Sequence, residues 1–327
     1  MNTSLSRAAQ VTLGGLLLAG AVLVADGTRF SEFTPLPASA GPTADENLPL
    51  TLGNPEFRQE SIANRWAQFD ALKPNGLNVR GNASGWDMNT LNETGRQKGR
   101  FLFTVFEEDW SGVQRHDLRT GETDTIWVSP TQSAAVGFDA SFWTPWGTLI
   151  TAEESWETAA AGSISPYGRL FEFKNPTTAP AIYTPVTLFS NGGANFTHKN
   201  VIPRTSHEGI QFDADGNMYF IDELNGGNVY KYTPKANFRR VMEGRADYFA
   251  AGQTFVLRVG DGNTPNAVGA YTWVPFTDVN GAALPASGAL PAALTITDTN
   301  GVKSVDARNT TNLPRFKGTD YQRPEDM

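Results

Sequence analysis

The chain contains no cysteine among its 327 residues. Disulfides, thiolate metal sites and a cysteine nucleophile are therefore excluded. Histidine is nearly as scarce, being confined to His116, His198 and His207, so a histidine-rich zinc site is not expected. Long apolar runs are also missing, with one exception. Val11 to Ala25 follow Arg7 without a single charge. A membrane-spanning helix needs about twenty such residues, so residues 1–25 read as an export signal, cleaved after Ala25 or after the Ala38-Ser-Ala40 triplet. An uncleaved anchor helix is the alternative. No arginine pair precedes the run, which leaves the twin-arginine route without support. Either reading places the folded part outside the cytoplasm, secreted or periplasmic, with no stable membrane span once the signal is removed.

Positive charge is in deficit. Lys and Arg number 26 against 34 Asp and Glu, for a net charge of −8. Such a surface repels nucleic acid and anionic lipid, so nucleic acid is not an expected partner. Phosphate would be repelled too, unless bound cations reverse the local sign. Hydrophobic content is only 39%, while 32 Gly and 20 Pro accompany 11% aromatics. That mixture favours an all-β protein rich in turns.

The pattern along the chain agrees. Residues 26–95 read as a linker and irregular lead-in, with one helical spacing at Glu60–Leu72 (Ile62, Trp66, Phe69, Leu72). Residues 96–327 read as the folded domain. Strands are predicted at Phe101–Phe106, Gly112–Asp117, Thr125–Val128, Trp146–Thr151 and Gly168–Phe173. Between 209 and 233, three strands are separated by the turns Asp213-Ala-Asp-Gly-Asn217 and Asn225-Gly-Gly227. This is the cadence of a β-propeller blade, and a β-sandwich is the alternative. Val113–Asp117, Leu170–Phe173 and Val229–Tyr232 read as equivalent strands of successive blades. Residues 266–300 read as an excursion between blades. The absence of a closing strand after Leu313 predicts an open ring or a missing C-terminal segment.

Three acidic segments stand where strands leave a sheet: Thr151-Ala-Glu-Glu-Ser155, His207-Glu-Gly209 and Arg323-Pro-Glu-Asp326. Gathered together, Glu153, Glu154, Glu208 and Glu325 would form a hard-oxygen pocket suited to Ca²⁺ or similar cations. Asp222-Glu223 repeats the strand-end pattern. Each has a plainer reading as a solvated acidic loop. The Asp213–Asn217 loop lacks the terminal Glu of a calcium-binding helix–loop–helix and reads as a hairpin turn. His207 reads as a structural histidine.

In order, Phe142-Trp-Thr-Pro-Trp-Gly-Thr-Leu-Ile-Thr-Ala-Glu-Glu154, Ser206-His-Glu-Gly209, Tyr219-Phe-Ile-Asp-Glu223 and Arg323-Pro-Glu-Asp326 resemble the signature of the PhoX-type alkaline phosphatases. The resemblance covers roughly residues 95–327. It implies a secreted six-bladed propeller that carries calcium and iron near its axis and hydrolyses phosphate monoesters, and sometimes diesters. It also implies metal-site roles for Glu153, Glu154, Glu208, Glu325, Asp222 and Glu223, and a phosphate-holding, catalytic role for Arg323. Ala152 stands where family members carry the cysteine that bridges two ferric ions. The substitution removes a soft bridging ligand for Fe³⁺ and leaves oxygen ligation of Ca²⁺ intact. Two readings follow: a metal-dependent phosphoesterase acting on small phosphate esters, and a non-catalytic, calcium-stabilised secreted propeller. A calcium-dependent lactonase is a third, resting on the 213–217 hairpin alone.

Overall fold

The computed structural model describes residues 41, 43–45, 48–53, 57–63, 85–107, 111–129, 135–156, 165–181, 195–290, 292–298, 301–308, 311–325 and 327. The export signal and most of the Glu60–Leu72 helical spacing lie outside these residues. The chain divides into two units, Met1–Ser61 and Ile62–Met327. In the first, the described backbone is irregular. Thr43 Oγ1 donates to the Leu48 carbonyl at 2.7 Å, and the Gln59 side-chain amide pairs with both backbone groups of Leu50.

The second unit is built from antiparallel sheets. The first joins β1 (Trp86–Leu91), β2 (Phe101–Phe106), β3 (Gly112–Asp117) and β4 (Glu122–Val128), paired in chain order. The next joins β5 (Phe138–Trp143), β6 (Leu149–Glu153), β7 (Leu170–Phe173) and β8 (Phe196–His198) in the same way. β9 (His207–Phe212) and β10 (Met218–Asp222) open the third. The short β11 (Asn225–Gly227) leaves it, and β12 (Val229–Pro234) returns to pair with β10. After the one-turn helix α1 (Phe238–Met242), β13 (Gly252–Val259) and β14 (Tyr271–Pro275) complete a five-stranded sheet. β15 (Thr295–Thr297) pairs with β16 (Lys303–Val305), and β17 (Tyr321–Gln322) pairs back onto β11.

Strand alternation explains how these sheets stack. Successive side chains of a strand point to opposite faces. In the middle sheet, Phe138, Leu149 and Phe171 join a buried cluster with Phe103, Val113 and Trp127 of the first sheet. Ala140, Ile150, Ala152 and Leu170 instead join a cluster with Ile210, Met218, Phe220 and Tyr230 of the third. Aromatic pairs bridge both seams, including Phe103–Trp143 at 5.6 Å and Phe142–Phe212 at 5.4 Å between ring centres. A sheet that is apolar on both faces must be covered on both, and here each cover is another meander. The first strands run side by side, β1 against β5 and β5 against β9. Meanders stacked face to face with their first strands innermost make a β-propeller, and three blades are present among the described residues.

The third strands of these blades are β3, β7 and β12, the strands read as equivalent from the sequence. Two readings shift. β1 lies inside the stretch 26–95 read as lead-in, and it is already the inner strand of the first blade. The excursion at 266–300 contains β14, which extends the third blade, and its following residues Phe276 and Ala293 enter that blade's core.

Candidate metal centre

The three blades repeat one local geometry. In each, the first strand takes three residue steps where its partner takes two. The irregularity falls between Trp86 and Asn89, between Phe138 and Ser141, and opposite Phe220 and Asp222, between His207 and Ile210. The extra residue is a β-bulge, which bends a strand and re-aims a side chain. In each blade the second residue of the bulged strand is acidic: Asp87, Asp139 and Glu208. The residue just after the second strand is also acidic: Glu107, Glu154 and Glu223. Its backbone N–H donates to the residue before the bulged strand, at 2.7 Å to Gly85, 2.7 Å to Gly137 and 2.8 Å to Ser206. Each blade thus delivers two carboxylates at one end of its inner hairpin.

These six carboxyl groups meet. Asp139 is in hydrogen-bond contact with Glu208 and Asp87, Glu107 with Asp87 and Glu154, and Glu154 with Glu223. Ligand atoms of Asp87, Glu107 and Asp139 lie within 4.8 Å of one another, as do those of Asp139, Glu208 and Glu223. The six therefore close a ring, with Asp139 shared by both triads.

Burial and mutual repulsion oppose ionisation. Asp139 is pushed up to about 11, first by burial and then by Glu208 and Asp87. Glu223 rises to about 7 through burial and Glu154, with Arg323 pulling the other way. Glu107 and Glu154 are raised mainly by burial. Facing carboxylates without cations must share protons. The donor set is entirely oxygen, with both strand and strand-end carboxylates available, and it fits hard divalent cations.

Arg323 sits at the rim. β17 pairs with β11, directly after Glu223, and so carries Arg323 onto that carboxylate. The approach depends on Gly227, where a Cβ would fall 1.7 Å from the Asp222 carbonyl. Arg323 donates from Nε to Glu223 Oε1 at 2.9 Å and from an Nη to the same oxygen. Its guanidinium lies 4.8 Å from the Trp156 ring centre, and Trp156 donates in turn to Glu154.

Of the residues singled out in the sequence, Glu154, Glu208 and Glu223 join the ring, and Arg323 joins its edge. Glu153, Asp222 and Glu325 are not brought into it. Glu153 is fully buried, and both its oxygens accept from Arg169, including Nε at 2.8 Å and the backbone N–H at 2.9 Å. An ion pair so complete leaves no lone pair aimed at a cation. Asp222 occupies the matching position of the third blade, where it accepts from Ser206 N at 2.9 Å and is pushed up to about 7 by burial. Glu325 is exposed, 3.8 Å from Arg323. His207 is wholly buried against Phe220, and burial lowers it to about 3, so it stays neutral. Asp213 is spent on its own turn, accepting from Asn217 and Tyr219. Ala152 is fully buried in the seam between the second and third blades.

Asp87, Glu107 and Asp139 were missed by the sequence reading. Their signal is a repeat: Gly85-Trp-Asp87 and Gly137-Phe-Asp139 parallel Ser206-His-Glu208, while Val105-Phe-Glu107 and Ala152-Glu-Glu154 parallel Ile221-Asp-Glu223.

A family model described as alkaline phosphatase PhoX matches residues 140–327. Among solved structures the chain is similar to Pseudomonas fluorescens PhoX in complex with vanadate, a transition state analogue. Identity is 14%, the match covers 74% of this chain and 55% of that one, and the TM-score is 0.41. The chain thus spans about half the length of that relative. No curated protein matches it. The family match takes in more than half of the chain, including Glu154, Glu208, Glu223 and Arg323, and on it the chain belongs to the PhoX alkaline phosphatase family.

Proposed function

We propose that the protein is a metal-dependent phosphoesterase acting on phosphate monoesters. The observation that carries this reading is the ring of six carboxylates contributed pairwise by three blades, with one arginine at its edge. Asp87, Glu107 and Asp139 would hold one cation, and Asp139, Glu208 and Glu223 another. Bound cations would neutralise phosphate oxygens and stabilise the charge developing in the transition state. Arg323 offers a planar fork to a phosphate oxygen, and without an anion it rests on Glu223. Trp156 holds that guanidinium over its ring and holds Glu154 through its indole N–H.

The all-oxygen donor set favours Ca²⁺, since no sulfur is present to bridge ferric ions and Ala152 contributes only a methyl group to the core. The apolar run Val11–Ala25 and the family membership support a secreted or periplasmic location. Among the described residues no helix is long and apolar enough to cross a membrane.

The test is release of p-nitrophenol from its phosphate ester by protein reconstituted with Ca²⁺, Fe³⁺ or Mn²⁺. Turnover is expected with Ca²⁺, abolished by a chelator and reduced about a hundredfold in Glu208→Gln, the upper end of what losing even an outer partner of a metal ligand costs. Cation binding without turnover under any condition would leave a calcium-stabilised binding protein instead.

A further inference from the structure

Beside the strand exit that carries Glu154 lies a buried arginine that arrives from far along the chain. Arg308 follows β16 and has no exposed surface. Its Nη1 donates to Ser155 Oγ at 2.8 Å and to the Ser155 carbonyl at 3.2 Å, across 153 residues of sequence. Its Nη2 donates to the Ser165 carbonyl at 3.1 Å. Asp306 orients it, accepting from Nε at 2.9 Å and from the Arg308 backbone N–H at 3.0 Å. The segment that presents it is itself clamped to the entry of β9. Arg204 N donates to Val305 O at 2.8 Å, and Ala307 N donates to Arg204 O at 2.9 Å.

Ser155 directly follows Glu154. Arg308 therefore grips the chain next to one of the six ring carboxylates. Side chains that fix metal ligands from behind govern affinity nearly as strongly as the ligands themselves.

We propose that Arg308 is a positioning residue for the metal centre: by gripping Ser155 at both its hydroxyl and its carbonyl, it holds the adjacent Glu154 in ligating register. This rests on the metal-dependent reading above. Lys in its place would keep the charge and lose the fork that spans Ser155, Ser165 and Asp306.

Terbium(III) provides the test, as an oxygen-seeking probe excited through Trp156 beside Glu154. It is titrated into the full-length protein in parallel with p-nitrophenyl phosphate kinetics. Arg308→Lys is expected to weaken terbium binding about tenfold and to lower kcat while leaving KM unchanged. Ser155→Ala, which removes one hydroxyl contact, is expected to weaken it about two- to tenfold in a protein that folds normally. Arg115→Lys serves as the control, since Arg115 binds the Pro176 and Ala179 carbonyls away from the ring, and it should leave terbium affinity unchanged. If Arg308→Lys does not fold, Ser155→Ala decides. Wild-type protein that binds no terbium and turns over no ester overturns the metal reading itself. Wild-type protein that does both, with Arg308→Lys or the deciding Ser155→Ala matching it, overturns the positioning role alone.

Discussion

Glu153 and Asp139 are both buried acids near the inner ends of their strands, yet they make opposite contributions. Glu153 is one half of an ion pair with Arg169, whose side chain is only 2% exposed. Removing one partner of a buried pair strands the other charge, at a cost of about 3–5 kcal/mol. Glu153→Gln should therefore lower the unfolding free energy by about that amount, as measured by urea denaturation. Asp139, raised to about 11 first by burial and then by Glu208 and Asp87, is ionised in the unfolded chain at neutral pH and protonated in the folded one, so its substitution removes the cost of that proton uptake. Asp139→Asn should raise the stability of cation-free protein by about 0.5–2 kcal/mol. It should also abolish stabilisation by Ca²⁺. Sequence alone could not separate Glu153 from Glu154, because adjacent carboxylates carry no label of which one meets an arginine. The partner, Arg169, lies across the β6–β7 pairing and becomes visible only with the sheet.

At the scale of elements, the unit that builds the carboxylate ring is the inner hairpin of a blade: a bulged first strand and the exit of the second. Eight of the seventeen described strands were legible from alternation and turn residues, whereas β1, β5, β13 and β14 were not, and Asn225–Gly227, read as a turn, is β11. β2 and β3 fall where apolar periodicity puts them, and Trp146-Gly147 turned out to be a turn before β6 because Thr144 and Thr148 close a hairpin there. The bulges were not legible, since a one-residue insertion leaves composition unchanged while reversing which face a side chain takes. That is why Asp87 and Asp139 were missed. Gly137 makes the hairpin testable. Its φ is 46°, and a Cβ there would stand 3.0 Å from the Glu154 carbonyl oxygen, while its own carbonyl accepts from Glu154 N. Gly137→Ala should cost about 1–3 kcal/mol through left-handed strain and displace Glu154. Thermal unfolding and Ca²⁺ titration would report the two effects separately, and an unchanged Ca²⁺ affinity would show that the hairpin tolerates the shift.

For the whole molecule, the propeller concentrates like charge where the blades converge, and its stability should depend on pH in a direction opposite to that of an ordinary ion-paired protein. Glu223 at about 7, Asp139 at about 11, and Glu107 and Glu154 in the same upward direction are all raised in the folded state. A carboxyl with a raised folded value contributes stability that is fully present below its unfolded value, about 4, and lost as pH climbs through the folded one. The paired acids act elsewhere. Asp117, held down by Arg100, loses its contribution only in acid below the ordinary carboxylate range. The buried, neutral histidines add stability with rising pH only up to their unfolded value of about 6.5, so between about pH 7.5 and about pH 9 cation-free protein should melt at progressively lower temperature. Ca²⁺ competes with protons for the same oxygens, so its stabilisation should grow over that interval. At a hundredfold excess over its dissociation constant the gain is about 2.7 kcal/mol, or roughly 5–10 °C in Tm for a domain of this size. Calorimetry in chelator and in Ca²⁺ at both pH values gives the comparison. A cation-free Tm that rises from about pH 7.5 to about pH 9 would mean that the carboxyl groups are not crowded together, and the ring could not be the metal centre.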